Sequence, residues 1–381
     1  MQHDAIVHWS EGNEARAARW QSERGAHPPR KVCVVDDRIT ADEAHGLACQ
    51  GTGLLWRGDF QNARQILTAL ARRAEHGPRK PGATLADAFN LERQARAQRA
   101  RTLGMLLVAV DADYGIDLRR APDLREACAE AYGPAAGPFV VSLRELLGVN
   151  GAHEWRRNGI ELPAVKGRIH PHYGVFAPIR SEYVDLVAKA PLPTALSSTP
   201  IAFDIGTGTG VLAAVLARRG VRRVVATDME PRALACALEN VRRLGLQEQV
   251  EVTRADLFPE GRAALIVCNP PWVPARPSSP LEHGIYDFES RMLRGFLRGL
   301  AARLAPGGEG WLLLSDLAEH LGLRSRKDLL AWIEEAGLAV VNRIDVRPKH
   351  PKASDGSDPL HRARTAEVTS LWRLSVARGE A

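Results

Sequence analysis

Between residues 201 and 219 the chain passes from an apolar strand, Ile201–Ile205, through a turn with glycine at every second position, Gly206, Gly208 and Gly210, into an apolar helical stretch, Val211–Arg219, that stops at Gly220. A strand fed by glycines straight into a helix is the opening unit of an open α/β sheet. The alternation continues. Strands are expected at 224–227, 250–253, 264–268 and 310–314, with helices at Pro231 to about Leu244 and at Glu289–Leu304. Proline in the first turn at 231 and Gly245 just beyond the end are the residues that start and stop a helix. The run Ala-Leu-Ile-Val-Cys at 264–268 is unbroken in its apolar character, as in a strand buried on both faces. A helix at Lys327–Ala336 and strands at 340–346 and 368–374 complete the pattern. Strands alternating with helices predict a parallel sheet with helices on both sides.

The region before residue 165 reads differently. Helical spacing marks Phe60–Arg73 and, more weakly, Thr84–Arg101, where Arg93, Arg96 and Arg99 share one side. A stripe of this kind can meet phosphate, but is more often a solvated face. Short strand candidates are Lys31–Val35 and Met105–Val110. Breaks fall at 21–30, at 75–83 (Glu-His-Gly-Pro-Arg-Lys-Pro-Gly-Ala) and at the Pro/Ser/Thr-rich 189–200. The expected organisation is a polar leader at 1–29, a mainly helical N-terminal substrate or accessory domain at 30–165, and the α/β domain at 166–381.

The five cysteines are scattered, with no C-x-x-C pair, which argues against a zinc site and a disulfide framework and suits the cytoplasm. No apolar run is long enough to span a bilayer. The formal charge of +6 in 381 residues is a mild excess, gathered in the second half and notably around Arg343–Arg364. It is compatible with an acidic partner such as RNA and equally with a solvated basic surface.

Four short segments carry chemistry. Asp204-Ile205-Gly206-Thr207-Gly208-Thr209-Gly210 lets backbone lie close to a ligand at the carboxyl end of a strand. A tight loop or a dinucleotide turn are its alternatives, but the G-x-G-x-x-G pattern puts Val211 where its last glycine belongs. Asp228, 22 residues after Gly206, can accept both hydroxyls of a ribose, or cap the following helix, as Glu230 also can. Asp256, in Ala-Asp-Leu-Phe, can accept from an adenine amino group while Leu257 packs on the ring. Asn269-Pro270-Pro271-Trp272 follows the buried strand. Its prolines lock the backbone and remove two donors, so the Asn269 side-chain oxygen and the Pro270 carbonyl can accept from one NH2 group. Trp272 adds a stacking face. A plain strand-ending turn is the alternative.

These four segments, in this order, resemble class I methyltransferases of the HemK/PrmC glutamine type and the related small-domain rRNA methyltransferases, over about residues 165–375. Phe176-Ala177-Pro178-Ile179-Arg180-Ser181-Glu182 is loosely similar to the P-R-x-x-T-E region before the HemK-type core. The resemblance implies a Rossmann-like class I methyltransferase sheet and S-adenosyl-L-methionine as cofactor. It implies that Asp204 and the glycine loop hold the amino-acid end, Asp228 the ribose, and Asp256 with Leu257 the adenine, with the methyl group toward Asn269. Trp272 stands where the glutamine-modifying enzymes usually carry tyrosine, and Leu257 where many carry an aromatic residue. The N-terminal region is longer than their small helical domain.

The function expected is transfer of a methyl group to a planar nitrogen, foremost a base amino group of RNA or other nucleic acid, alternatively a protein glutamine. A non-catalytic S-adenosylmethionine-binding protein and a nicotinamide dehydrogenase are the readings from other classes. The expected partner is a macromolecule, RNA or a ribosome-associated protein, with no membrane and no metal. Residues 30–165, the 168–182 segment and the basic loop 347–364 are expected to shape the acceptor site. No general base is assigned to His170, His172 or His283. Each of the three reads as a loop or structural histidine, and His283, eleven residues past Trp272, can also line the pocket.

Overall fold

A computed structural model describes residues 5–75, 82–277, 280–348 and 360–377. Lys349, Lys352 and most of the basic loop, and part of the break at 75–83, lie outside the described residues. The chain divides into two compact units, one drawn from the residues up to Ala83 with Asn90–Glu154, the other from Thr84–Phe89 with Trp155–Ala381.

The first unit is a mixed sheet with helices. Its elements are strands β1 (Ile6–Glu11), β2 (Glu14–Trp20) and β3 (Lys31–Val35), helix α1 (Ala41–Cys49), strand β4 (Thr52–Trp56) and helix α2 (Phe60–Glu75). Helix α3 (Leu85–Leu103), which begins in the second unit up to Phe89, β5 (Leu106–Val110), α4 (Arg125–Tyr132), β6 (Phe139–Ser142) and α5 (Leu143–Asn158), which enters the second unit at Trp155, follow. The sheet order is β1-β2-β6-β5-β4-β3. This corrects two expectations. The leader is structured from Ile6 to Trp20, because Gly12, with φ +61°, and Asn13 form a two-residue turn between paired Glu11 and Glu14. The mainly helical region also holds a six-stranded sheet, whose strand β4 is wholly buried. Along α3, Arg96 pairs with Glu92 and Arg99 with Glu75, so that stripe is engaged in surface ion pairs.

The second unit begins earlier than residue 166. Strands β7 (Ile160–Leu162) and β8 (Gly167–Ile169) form a small hairpin, and Leu162, Val165 and Ile169 join its core. After α6 (Glu182–Lys189) come β9 (Ile201–Ile205), α7 (Val211–Arg218), β10 (Arg223–Asp228), α8 (Pro231–Arg243), β11 (Val250–Arg254) and β12 (Ala263–Cys268). The ending is α9 (Arg291–Arg303), β13 (Leu304–Ser315), α10 (Leu317–His320), α11 (Arg326–Glu335), β14 (Leu338–Val346), α12 (His361–Ala366) and β15 (Thr369–Val376).

The seven strands lie in the order β11-β10-β9-β12-β13-β15-β14, parallel except that β15 runs antiparallel to β13 and β14. Strand order reverses between β9 and β12, which makes the carboxyl ends of those two strands the switch point where ligands bind in such sheets. Alternate residues of each strand feed two cores. Ala202, Val224, Ala226, Leu265 and Val267 pack under α6, α7 and α8, while Phe203, Ile205, Val225, Ile266 and Cys268 pack under α9 and α11. Both faces are therefore covered, as the unbroken apolar run in β12 required.

Candidate functional site

Register brings the four segments to one edge. Ile205 lies opposite Thr227 on one side and Cys268 on the other, so Gly206, Asp228 and Asn269 stand level at the strand ends, and Asp228 is paired with Arg254 just before Asp256. Adjacent strands are about 4.8 Å apart, so the tips form a short row across the switch point.

The glycine loop is held from below. Asp204 is 1% exposed, and its Oδ2 accepts from the Thr207 hydroxyl at 2.6 Å and from the Ala213 amide at 2.9 Å. Burial pushes its carboxyl up to about 6. Asp204 thus braces the loop from within the core. Thr207 donates its amide to the Thr227 carbonyl at 2.8 Å, and Thr207 and Thr209 are themselves buried. Gly206, Gly208 and Gly210 have φ values of +70°, +55° and +80°, the left-handed region that side chains resist. A Cβ on Gly210 would meet the backbone of Ala237 in α8 at 3.2 Å, whereas one on Gly208 would project into open space.

Asp228 is half-buried. Its Oδ2 accepts from the Gly208 amide at 3.0 Å and its Oδ1 from the Glu230 amide at 3.0 Å, so it both aligns the loop and caps the turn into α8. Asp256 is exposed. Leu257 has φ +66°, and its carbonyl accepts from the buried Thr227 hydroxyl at 2.6 Å. Asn269 and Trp272 are half-buried, Pro270 is buried, and the Trp272 indole N–H donates to Asn269 Oδ1 at 2.9 Å. Beyond this turn Val273 is held by backbone bonds, its amide to Ile285 and its carbonyl from Asp287.

His170 Nδ1 lies 2.6 Å from the Arg156 carbonyl, and His172 Nε2 lies 2.6 Å from Glu239 Oε2. Both are spent on structure. His283 is exposed. In the 176–182 segment, Arg180 pairs with buried Glu367 at 3.1 Å, Ile179 is exposed, and Phe176 rests where a side chain at Gly284 would otherwise go.

One important residue escaped the sequence reading. Asn240, 1% exposed, accepts from the His170 amide at 2.7 Å and donates to the Thr209 carbonyl at 3.0 Å and the His170 carbonyl at 3.2 Å. It ties the glycine loop to the segment after β8. The signal was available, because Ala233, Cys236, Ala237, Asn240 and Val241 form the buried stripe of α8, and a polar residue in such a stripe needs buried partners.

Residues 166–318 match the methyltransferase small domain. A release factor glutamine methyltransferase from Cereibacter sphaeroides is 35% identical over 176 residues, 42% of this chain and 58% of that protein. A ribosomal protein L11 methyltransferase from Pelotomaculum thermopropionicum is 35% identical over 144 residues, 37% of this chain and 39% of that protein. The crystal structure of a ribosomal protein L11 methylase from Lactobacillus delbrueckii subsp. bulgaricus aligns with 55% of this chain and 86% of that one, at 15% identity and a TM-score of 0.36. The chain thus spans under two thirds of the length of either curated relative. Among the described residues no helix is long and apolar enough to cross a membrane, and no group of three or more His, Cys, Asp or Glu side chains is arranged to hold a metal ion.

Proposed function

On the premise that residues 166–318 carry a methyltransferase small domain, we propose that the chain transfers a methyl group from S-adenosylmethionine to a planar amino or amide nitrogen. The residues fit the cofactor. A left-handed glycine loop has open space above Gly208, and a carboxylate is fixed at the tip of the next strand. Gly206, Gly208 and the loop backbone would hold the amino-acid end, Asp228 the ribose, and Asp256 with Leu257 the adenine. S-adenosylmethionine supplies, when bound, a methyl group on a positively charged sulfur.

The observation that carries the acceptor assignment is Asn269 at the switch point, its backbone level with Gly206, followed by the buried, donor-free Pro270. An exocyclic amine or amide is a weak nucleophile because its lone pair is delocalised. Oxygens accepting from its N–H bonds favour the positive charge that develops on attack, and holding the nitrogen in line lowers the entropic part of the barrier. No side chain need act as a strong base, since the methylated nitrogen is acidic enough to lose its proton to water. His170 and His172 are already engaged elsewhere.

Two acceptors follow from different observations. A base amino group of RNA is supported by the planar indole of Trp272 beside Asn269. A glutamine amide in a protein of translation is supported by the release factor relative. Incubation with tritiated S-adenosylmethionine and a cell extract, followed by nuclease or protease, tests both. Label lost to nuclease is the expected result for RNA, and label lost to protease for a protein. Label in neither polymer overturns the macromolecular reading.

A further inference from the structure

Trp272 makes a contact that stacking does not require. Its indole N–H lies 2.9 Å from Asn269 Oδ1, and no other hydrogen bond of the Asn269 side chain occurs among the described residues. An indole N–H can only donate, while the two ends of a side-chain amide differ, oxygen accepting and nitrogen donating. The indole therefore selects the oxygen end.

The geometry points to Trp272 as a positioning residue that fixes which way the Asn269 amide faces. One lone pair of Oδ1 is taken by the indole, and the second stays available to an N–H of the acceptor. This deepens the proposed function and rests on it. Without the indole donor, the Asn269 amide gains a second orientation, turned by a half-rotation, that sets Nδ2 against the acceptor N–H groups and repels them.

The surroundings favour a fixed brace over a movable gate. The half-buried indole packs against three separate apolar clusters, one on each face of the sheet and one around Val273 and Leu321. The Trp272 carbonyl receives a long contact, 3.5 Å, from Arg324, which is 5% exposed. The next residue, Val273, is pinned through Ile285 and Asp287. A ring held on this many sides can hold an amide in turn.

Two measurements test the assignment. In 15N-labelled protein, the indole resonance deleted by Trp272→Phe should move toward the position of a solvated indole in Asn269→Ala. An unmoved resonance overturns the proposal, and this readout needs no acceptor. In the tritium assay over a dilution series of extract, Trp272→Phe keeps a flat ring while losing the donor and part of the indole's bulk. Its maximal rate should fall roughly tenfold, the loss of about one neutral hydrogen bond in the rate-determining arrangement, with half-saturation and S-adenosylhomocysteine affinity little changed. A wild-type maximal rate overturns the proposal, as does a loss confined to half-saturation. If thermal unfolding shows Trp272→Phe to be misfolded, the resonance in Asn269→Ala decides alone. If the wild-type protein labels neither RNA nor protein, the proposed function falls while the resonance still decides the Trp272–Asn269 contact.

Discussion

Asp204 is a carboxylate with almost no access to water, beneath a loop that must stay in one shape. Its folded state binds a proton more tightly than the unfolded chain does, since burial lifts it from 3.8 to about 6. A group shifted in this direction adds stability fully below the unfolded value and loses it as pH rises through the folded one. Thermal unfolding followed against pH should therefore show a descending leg between about 4 and 6 that Asp204→Asn removes. A leg of the same size in both proteins would assign it to another group. At the strand tip, Asn269→Ala should abolish methyl transfer and leave S-adenosylhomocysteine affinity nearly intact, read by calorimetry beside the tritium assay. Residue by residue, the tip positions were legible because strand ends are fixed by their apolar runs, which put Gly206, Asp228 and Asn269 one step past Ile205, Thr227 and Cys268. The division between Asp204 below the loop and Asp228 beside it was not legible, because both stand at the carboxyl ends of apolar strands and the side toward which each carboxylate turns separates them.

At the scale of elements, the glycine loop is less a property of its glycines than of what α8 sets against it. Asn240 bonds to Thr209 and His170, and Ala237 stands close to Gly210. Asn240→Leu would leave buried partners unpaired and should cost roughly 2–4 kcal/mol of stability, with a parallel loss of S-adenosylhomocysteine affinity. Gly210→Ala combines a left-handed backbone with backbone contact and should cost about 1–3 kcal/mol, measured by denaturant titration. The helices and central strands of the second unit were readable because burial on both sheet faces leaves a strong periodic signal. The hairpin of β1 and β2 was not, because its strands are largely exposed and carry charge in Glu-Ala-Arg-Ala-Ala-Arg, so no apolar face distinguished them from a leader. Gly12-Asn13 was the one cue.

For the molecule as a whole, the second unit is discontinuous in sequence, since Thr84–Phe89 belongs to it while the following residues do not. Phe89, 6% exposed, meets Tyr286 edge-on at 6.3 Å and joins Val273, Leu321 and Leu360. Phe89→Ala should lower stability by about 3 kcal/mol and loosen the stretch after Trp272, visible as faster amide exchange at Val273 and Asp287. Unchanged exchange there would mean that this cluster does not support the turn. A boundary drawn at residue 165 could not have shown this, because a single short turn lent to another unit leaves no compositional mark.

Strand β15 lies between β13 and β14 although it follows both in the chain. While such a polypeptide is being synthesised, β14 therefore emerges before β15, the strand it pairs with among the described residues. For that interval its exposed amides and Val340 and Val341 form a bare, sticky margin, open to pairing with another nascent copy. Completing the sheet therefore means slotting a strand into a gap rather than adding one to a rim, so a chain cut short before residue 369 should be prone to clump, where one extending through 376 should not.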